Sequence, residues 1–191
     1  MAINYKQCPK CGSKNAIPIV YGLPALELLE KAEAGKVKLG GCCIEESSPE
    51  FFCKDCNSEW NKDQFLDKAY KQIKGIKASV GGYFGGSYLA VIDLEGLNIN
   101  WVHWEEGKEI DTYQKKIRVK TAERFINRLN AVNLLDWKRS YENPGVLDGT
   151  GWEIEIYREG RNLVKSGDNA FPDEWDSFCS AIGKITGRKF E

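Results

Sequence analysis

The chain has 191 residues, 42% of them hydrophobic and 29% charged, and a formal net charge of −1. That balance is ordinary for a soluble globular protein and excludes a strong overall pull toward nucleic acid or anionic lipid. No window approaches the ~18 consecutive apolar residues of a membrane span, so no membrane association is expected.

In chain order, the first segment, "MAINYKQCPKCGSKN", is polar and lacks the apolar stretch of a signal peptide. Seven cysteines without an export signal argue for a reducing cytoplasm, where paired cysteines read as metal ligands rather than disulfides. "GLPALELLEKAEAG" predicts a short helix, with Pro24 at its first position, Leu26, Leu29 and Ala32 on one face, and Gly35 just past its end. "GGCCIEESSPE" follows. Its Cys42 and Cys43 read as small residues packing beneath this insert, the alternative being a substitute ligand or a redox thiol. A second helix is predicted from Asn61, with Gln64 completing a capping box and Phe65, Leu66, Ala69, Tyr70 and Ile73 as its apolar stripe.

Cys8 and Cys11 are two residues apart, as are Cys53 and Cys56. In such a turn both thiolates reach one ion, and the backbone N–H groups that follow stabilise the sulfur charge. Gly12 and Asn57 follow each pair, and both tolerate the left-handed conformation the turn needs. Four thiolates at ~2.3 Å in a closed tetrahedron make a structural zinc (Zn2+) site, one ion with no open position for water. "CPKCG" and "FFCKDCNSEW" resemble the paired knuckles of bacterial zinc-ribbon proteins, over about residues 5–60. The departure is the 41 residues between Cys11 and Cys53, against ~15–20 in a minimal four-cysteine pattern, so residues 12–52 carry an insertion. A rubredoxin-like iron centre uses the same four ligands, with zinc favoured over it.

A boundary is expected near "GIKASVGG", giving a ribbon domain with helical insert and linker helix over 1–76 and an α+β domain over 77–191. In the second piece "SYLAVIDLEG", "LNINWVHWEEG" and "TYQKKIRVK" read as strands. "TAERFINRLNAVNLL" reads as a helix capped by Thr121, with Phe125, Ile126, Leu129 and Val132 on one side. "GWEIEIYREGRNLVKSG" predicts a hairpin turning at Glu159–Gly160, and "FPDEWDSFCSAIGKITG" a final helix docked by Trp175, Phe178, Cys179, Ile182 and Ile185 and ended by Gly187. The fold class is therefore α+β, a mixed antiparallel sheet with two packed helices. "GGYFGGSYLAVIDLEG", "DGTGWEIEI" and "SGDNAFPDEWDSF" resemble an uncharacterised domain of bacterial proteins, over about residues 79–190. The resemblance implies a bacterial or phage origin and an α+β fold, and carries no activity.

"GGYFGGS" lacks the phosphate-loop pattern and reads as a sheet feature. His103, the one histidine, lies between tryptophans with no nucleophile motif elsewhere, and reads as structural or surface. Asp93 and Glu95 are a weak carboxylate pair, and Asp148 a turn former. Residues 115–139 hold eight Lys/Arg against two acids, while 93–111 hold six acids against one Lys. Two adjacent elements satisfying each other is the favoured reading. The alternative is a nucleic-acid face using Lys115, Lys116, Arg118, Lys120, Arg124 and Arg128.

The reading as a whole is a non-enzymatic zinc-binding protein, with the ribbon as scaffold and the α+β domain docking a protein partner. The alternatives are a nucleic-acid-binding regulator and an unrecognised enzyme.

Overall fold

The structure is a computed structural model that describes residues 4–82, 85–145 and 149–191. Among them are four α-helices and two mixed sheets, of four and seven strands, which makes the architecture α+β. Contacts divide the chain into two compact units, one extending to Ala69 and the other running from Tyr70 to Glu191. No helix among the described residues is long and apolar enough to cross a membrane.

In the first unit, β1 (Ala16–Val20) pairs in parallel with β2 (Lys38–Leu39) and antiparallel with β3 (Phe51–Cys53). A hairpin joins β3 to β4 (Glu59–Trp60). Helix α1 (Leu26–Glu33), within the insert, has no buried residue. Its Leu26 and Leu29 point outward, while Leu28 and Ala32 are the half-covered side. Helix α2 (Lys62–Lys71) starts with the predicted capping box: Gln64 N–H donates to Asn61 Oδ1 (2.8 Å) and Asn61 N–H to Gln64 Oε1 (3.4 Å). A small core unites Cys8, Cys53 and Trp60 with Ala16, Phe51 and Phe65. Phe51 stacks on Trp60 and meets Tyr5 at a tilt of 54°, and the Trp60 indole N–H is satisfied by Tyr5 O at 2.9 Å.

In the second unit, β5 (Ile73–Gly82), β6 (Ser87–Asp93), β7 (Asn98–Glu105) and β8 (Lys108–Lys116) form an antiparallel meander. Helix α3 (Val119–Ala131) and a 3-10 turn over Leu134–Asp136 lead to β9 (Ser140–Glu142), then β10 (Thr150–Arg158), β11 (Leu163–Asp168) and α4 (Trp175–Thr186). The sheet order is β8-β7-β6-β5-β10-β11-β9, with β9 parallel to β11. Helices α3 and α4 pack together, and α4 also packs on β7. The core between helices and sheet is strongly aromatic. Trp137, Trp152, Trp175 and Phe178 contact one another, and the Trp137 and Trp152 indoles donate to Val132 O and Ala170 O, both at 2.9 Å.

Several sequence expectations change. Residues 75–80, read as a boundary, lie inside β5, the central strand. Its Ile76, Ala78 and Val80 are buried while Lys77 faces solvent, an alternation that needs a strand. The helix read from Thr121 starts at Val119 instead. Arg118 takes the cap position in extended conformation, without a side-chain cap. Gly81 pairs with Ser87 in the β5–β6 hairpin, and a Cβ there would meet the Ser87 Cβ at 2.4 Å. Close strand approach, not phosphate binding, therefore accounts for this glycine. Tyr83 and Phe84 of the same stretch, and Asp148, lie outside the described residues.

Candidate metal centre

The two cysteine pairs occupy two turns of the same local design. After the first, Cys8 N–H donates to Ser13 O (2.8 Å) and Gly12 N–H to Cys8 O (2.9 Å). After the second, Cys53 N–H donates to Ser58 O and Asn57 N–H to Cys53 O, both at 2.9 Å. Gly12 (φ 73°) and Asn57 (φ 58°) both adopt the left-handed conformation predicted for them. Pairing of Ala16 with Cys53 across β1 and β3 brings the turns face to face.

The outcome is four sulfurs within 4.8 Å of one another, Cys8 and Cys53 buried beneath, Cys56 half-buried and Cys11 at the surface. Cys8 Sγ lies 3.6 Å from Cys56 Sγ, and Cys11 Sγ 3.6 Å from Cys53 Sγ. A tetrahedron of ~2.3 Å metal–sulfur bonds has edges of ~3.8 Å, so the cluster has the size of a four-thiolate site. A disulfide, at ~2.05 Å, is far shorter than any of these approaches. The cluster can hold a metal ion. No protein-family model matches the chain, and no curated protein matches it.

Charge is what such a cluster has to solve. The Ser58 hydroxyl, 3.3 Å from Cys56 Sγ, and the Ser58 N–H hold the Cys56 thiol down to about 6. The Ser13 N–H pulls Cys11 the same way, but the neighbouring Cys56 sulfur, burial and the Cys53 and Cys8 thiols outweigh it and push Cys11 up to about 12. Cysteine sulfurs bind a metal as thiolates, so ionisation of this cluster and binding of a cation would be linked.

A supporting layer was not anticipated from the sequence. Asp55, inside the second turn, accepts hydrogen bonds from the Ser13 hydroxyl (2.5 Å) and the Asn15 amide (2.8 Å), which follow the first turn. These bonds hold its carboxyl below the usual range and clamp one turn to the other. Lys68 of α2 donates to Pro9 O, tying the helix to the first turn.

The other predicted positions fall elsewhere. His103 stacks on Tyr88 at 4.5 Å with 7° between the rings. Its Nε2 is 3.6 Å from Glu105 Oε1, too long for a hydrogen bond, and that atom has no hydrogen-bond partner among the described residues. Asp93 accepts from Gly96 N–H (2.8 Å) and Glu95 pairs with Lys74 (3.0 Å), so the two carboxylates serve separate local contacts. Cys179 is buried, which pushes its thiol up and leaves it inert.

The six basic residues do not share one face. Lys115, opposite buried Ile99, and Lys116, opposite Asn98, project from opposite sides of β8. Arg118 caps α3, whereas Lys120, Arg124 and Arg128, four residues apart, form one exposed stripe along it. No ion pair joins this stripe to the acids of 93–111 among the described residues, so the expected mutual satisfaction of the two charge blocks is not seen there.

Proposed function

We propose that the first unit is a zinc ribbon, that Cys8, Cys11, Cys53 and Cys56 hold one structural zinc ion, and that the insert so braced docks a protein partner. The separation of the four sulfurs carries the metal reading, since it matches a tetrahedral site with all four positions filled by protein. Such a site leaves no position for a substrate or an activated water, which supports a scaffold role. The reading requires a reducing compartment, the cytoplasm, because oxidised cysteines hold no zinc. The two compact units are read as two domains, divided along the chain between Ala69 and Tyr70.

Apolar exposure supports the insert as the docking surface more than it supports the α+β domain. Leu23 (93% exposed), Leu26 (73%), Leu29, Leu39 and Ile44 (72%) all lie in the insert. Ile110, Val119, Val164 and Phe171 are spread over two strands, a helix start and a loop. The insert also carries Glu27, Glu30, Glu33, Glu45, Glu46 and Glu50 against Lys14, Lys31, Lys36 and Lys38. Exposed apolar side chains together with an excess of glutamates suit a protein groove bordered by Lys and Arg better than they suit nucleic acid.

The metal reading is tested by elemental analysis. The wild type should carry one zinc per chain, and Cys53→Ser should lose it and become protease-sensitive up to Ala69 while the second unit stays resistant. A variant with full metal content and full protease resistance would refute the ligand assignment. One observation favours a second reading, nucleic-acid contact. The stripe of Lys120, Arg124 and Arg128 advances ~6 Å per step along α3, and no ion pair neutralises it among the described residues.

A further inference from the structure

Free cysteine is among the most buried residue types, because its thiol packs as a small apolar group. Cys42 and Cys43 depart from that rule. Both are exposed, contrary to the expectation that they pack beneath the insert, and their Sγ atoms lie 3.6 Å apart. Nor are they spare ligands for the four-cysteine cluster. Gly40 N–H donates to Val20 O (2.9 Å) and Gly22 N–H to Gly41 O (2.8 Å), which fixes the pair beyond the Val20 end of β1. Cys53 pairs with Ala16 at the other end, and at ~3.3 Å per residue those ends are ~13 Å apart.

Two chemistries are open to neighbouring thiols, and geometry separates them. A disulfide usually has its Cα atoms at least ~4.4 Å apart, whereas adjacent residues across a trans peptide are held at ~3.8 Å, so a bridge here would be strained and easily reduced. It also needs the sulfurs to close from 3.6 Å to ~2.05 Å. Chelation needs neither change. The 3.6 Å gap equals those of Cys8–Cys56 and Cys11–Cys53. Two bonds of ~2.3 Å spanning that gap meet at roughly 100°, whereas a linear two-coordinate ion would hold the sulfurs ~4.6 Å apart. The angle is that of a pyramidal or tetrahedral centre. Among the described residues no third His, Cys, Asp or Glu joins the pair, so a tetrahedral divalent ion would lack half its ligands. A pyramidal centre that brings its own third substituent would lack none.

We propose that Cys42 and Cys43 form a vicinal dithiol site for a soft trivalent oxygen-bearing centre, the chemistry of arsenous acid and organic arsenicals. Each thiol passes its proton to a hydroxide on the centre. That hydroxide leaves as water as the sulfur bond forms. Two such exchanges close a ring through the Cys42–Cys43 peptide. The centre stays trivalent, and no oxidant or reductant is consumed.

The test uses the full chain, purified under reducing conditions, with phenylarsine oxide as probe. Intact mass should show one arsenical per chain, two thiols lost to a disulfide reagent, and no zinc released to a chromogenic chelator. Cys42→Ser and Cys43→Ser, both on an exposed loop, should each weaken binding by about a hundredfold or more, as expected when a chelate becomes a single attachment. Equal binding by the wild type and either variant would overturn the proposal. So would uptake matched by zinc release, because the reacting thiols would then be those of the four-cysteine cluster.

Discussion

Among the described residues Lys165 is the one lysine or arginine in the core, 2% exposed, with its ammonium donating to Leu135 O (3.1 Å) and Trp137 O. Burial pulls it down to about 8 from an ordinary 10.5, with the Asp136 charge partly opposing. Between those values the unfolded chain binds a proton that the folded chain does not, so stability rises with pH from about 8 to about 10.5. Below that window both states are protonated and the folded one bears the whole burden, on the order of 3 kcal/mol. Urea midpoints measured across the window should climb in the wild type and climb less in Lys165→Met. A flat wild-type profile would show that the two carbonyls compensate the charge fully. Nothing in "NLVKSGD" announces this lysine, because a lysine in a strand is ordinarily solvated. Only the carbonyls of the 3-10 turn, brought from thirty residues upstream, make the buried position tolerable.

At the level of elements, local chemistry was legible and pairing was not. The Asn61–Gln64 box, the left-handed Gly12 and Asn57, and the ending of α4 at Gly187 (φ 74°) each depend on residues within a turn of one another. The gathering of Cys8, Cys11, Cys53 and Cys56 was readable for the same reason: each pair declares its turn, and two turns imply one centre. The Asp55 clamp was not readable, since its partners lie forty and more residues away. Strand β5 escaped because Gly75, Gly81 and Gly82 punctuate it like a linker, although Ile76, Ala78 and Val80 carry a period of two. In the fold those glycines admit close neighbours instead. Gly81→Ala should therefore destabilise the second unit by about 1–3 kcal/mol, since its Cβ meets backbone-anchored Ser87 rather than a movable side-chain tip. Thermal unfolding checks this, and an unchanged midpoint would mean that the hairpin relaxes freely.

For the molecule as a whole, two surfaces of opposite character invite one comparison. Leu26→Asp with Leu29→Asp should leave stability within about 0.5 kcal/mol, because both side chains are exposed, yet abolish salt-sensitive capture of a protein partner. Lys120→Glu with Arg124→Glu should leave that capture intact. If instead the second pair removes binding to mixed DNA and RNA, and the first pair changes nothing, nucleic acid is the partner. The placing of the four cysteines also has a consequence for the order of events in synthesis. An ion held between the turns would close a loop of 41 intervening residues, removing chain entropy worth about 4 kcal/mol by the cross-link relation. Only two of the four sulfurs exist until Cys53 has been made, and the set is complete only with Cys56. Until then α1 and the exposed leucines beside it belong to an open chain, and the clasp shuts only after the whole insert has emerged.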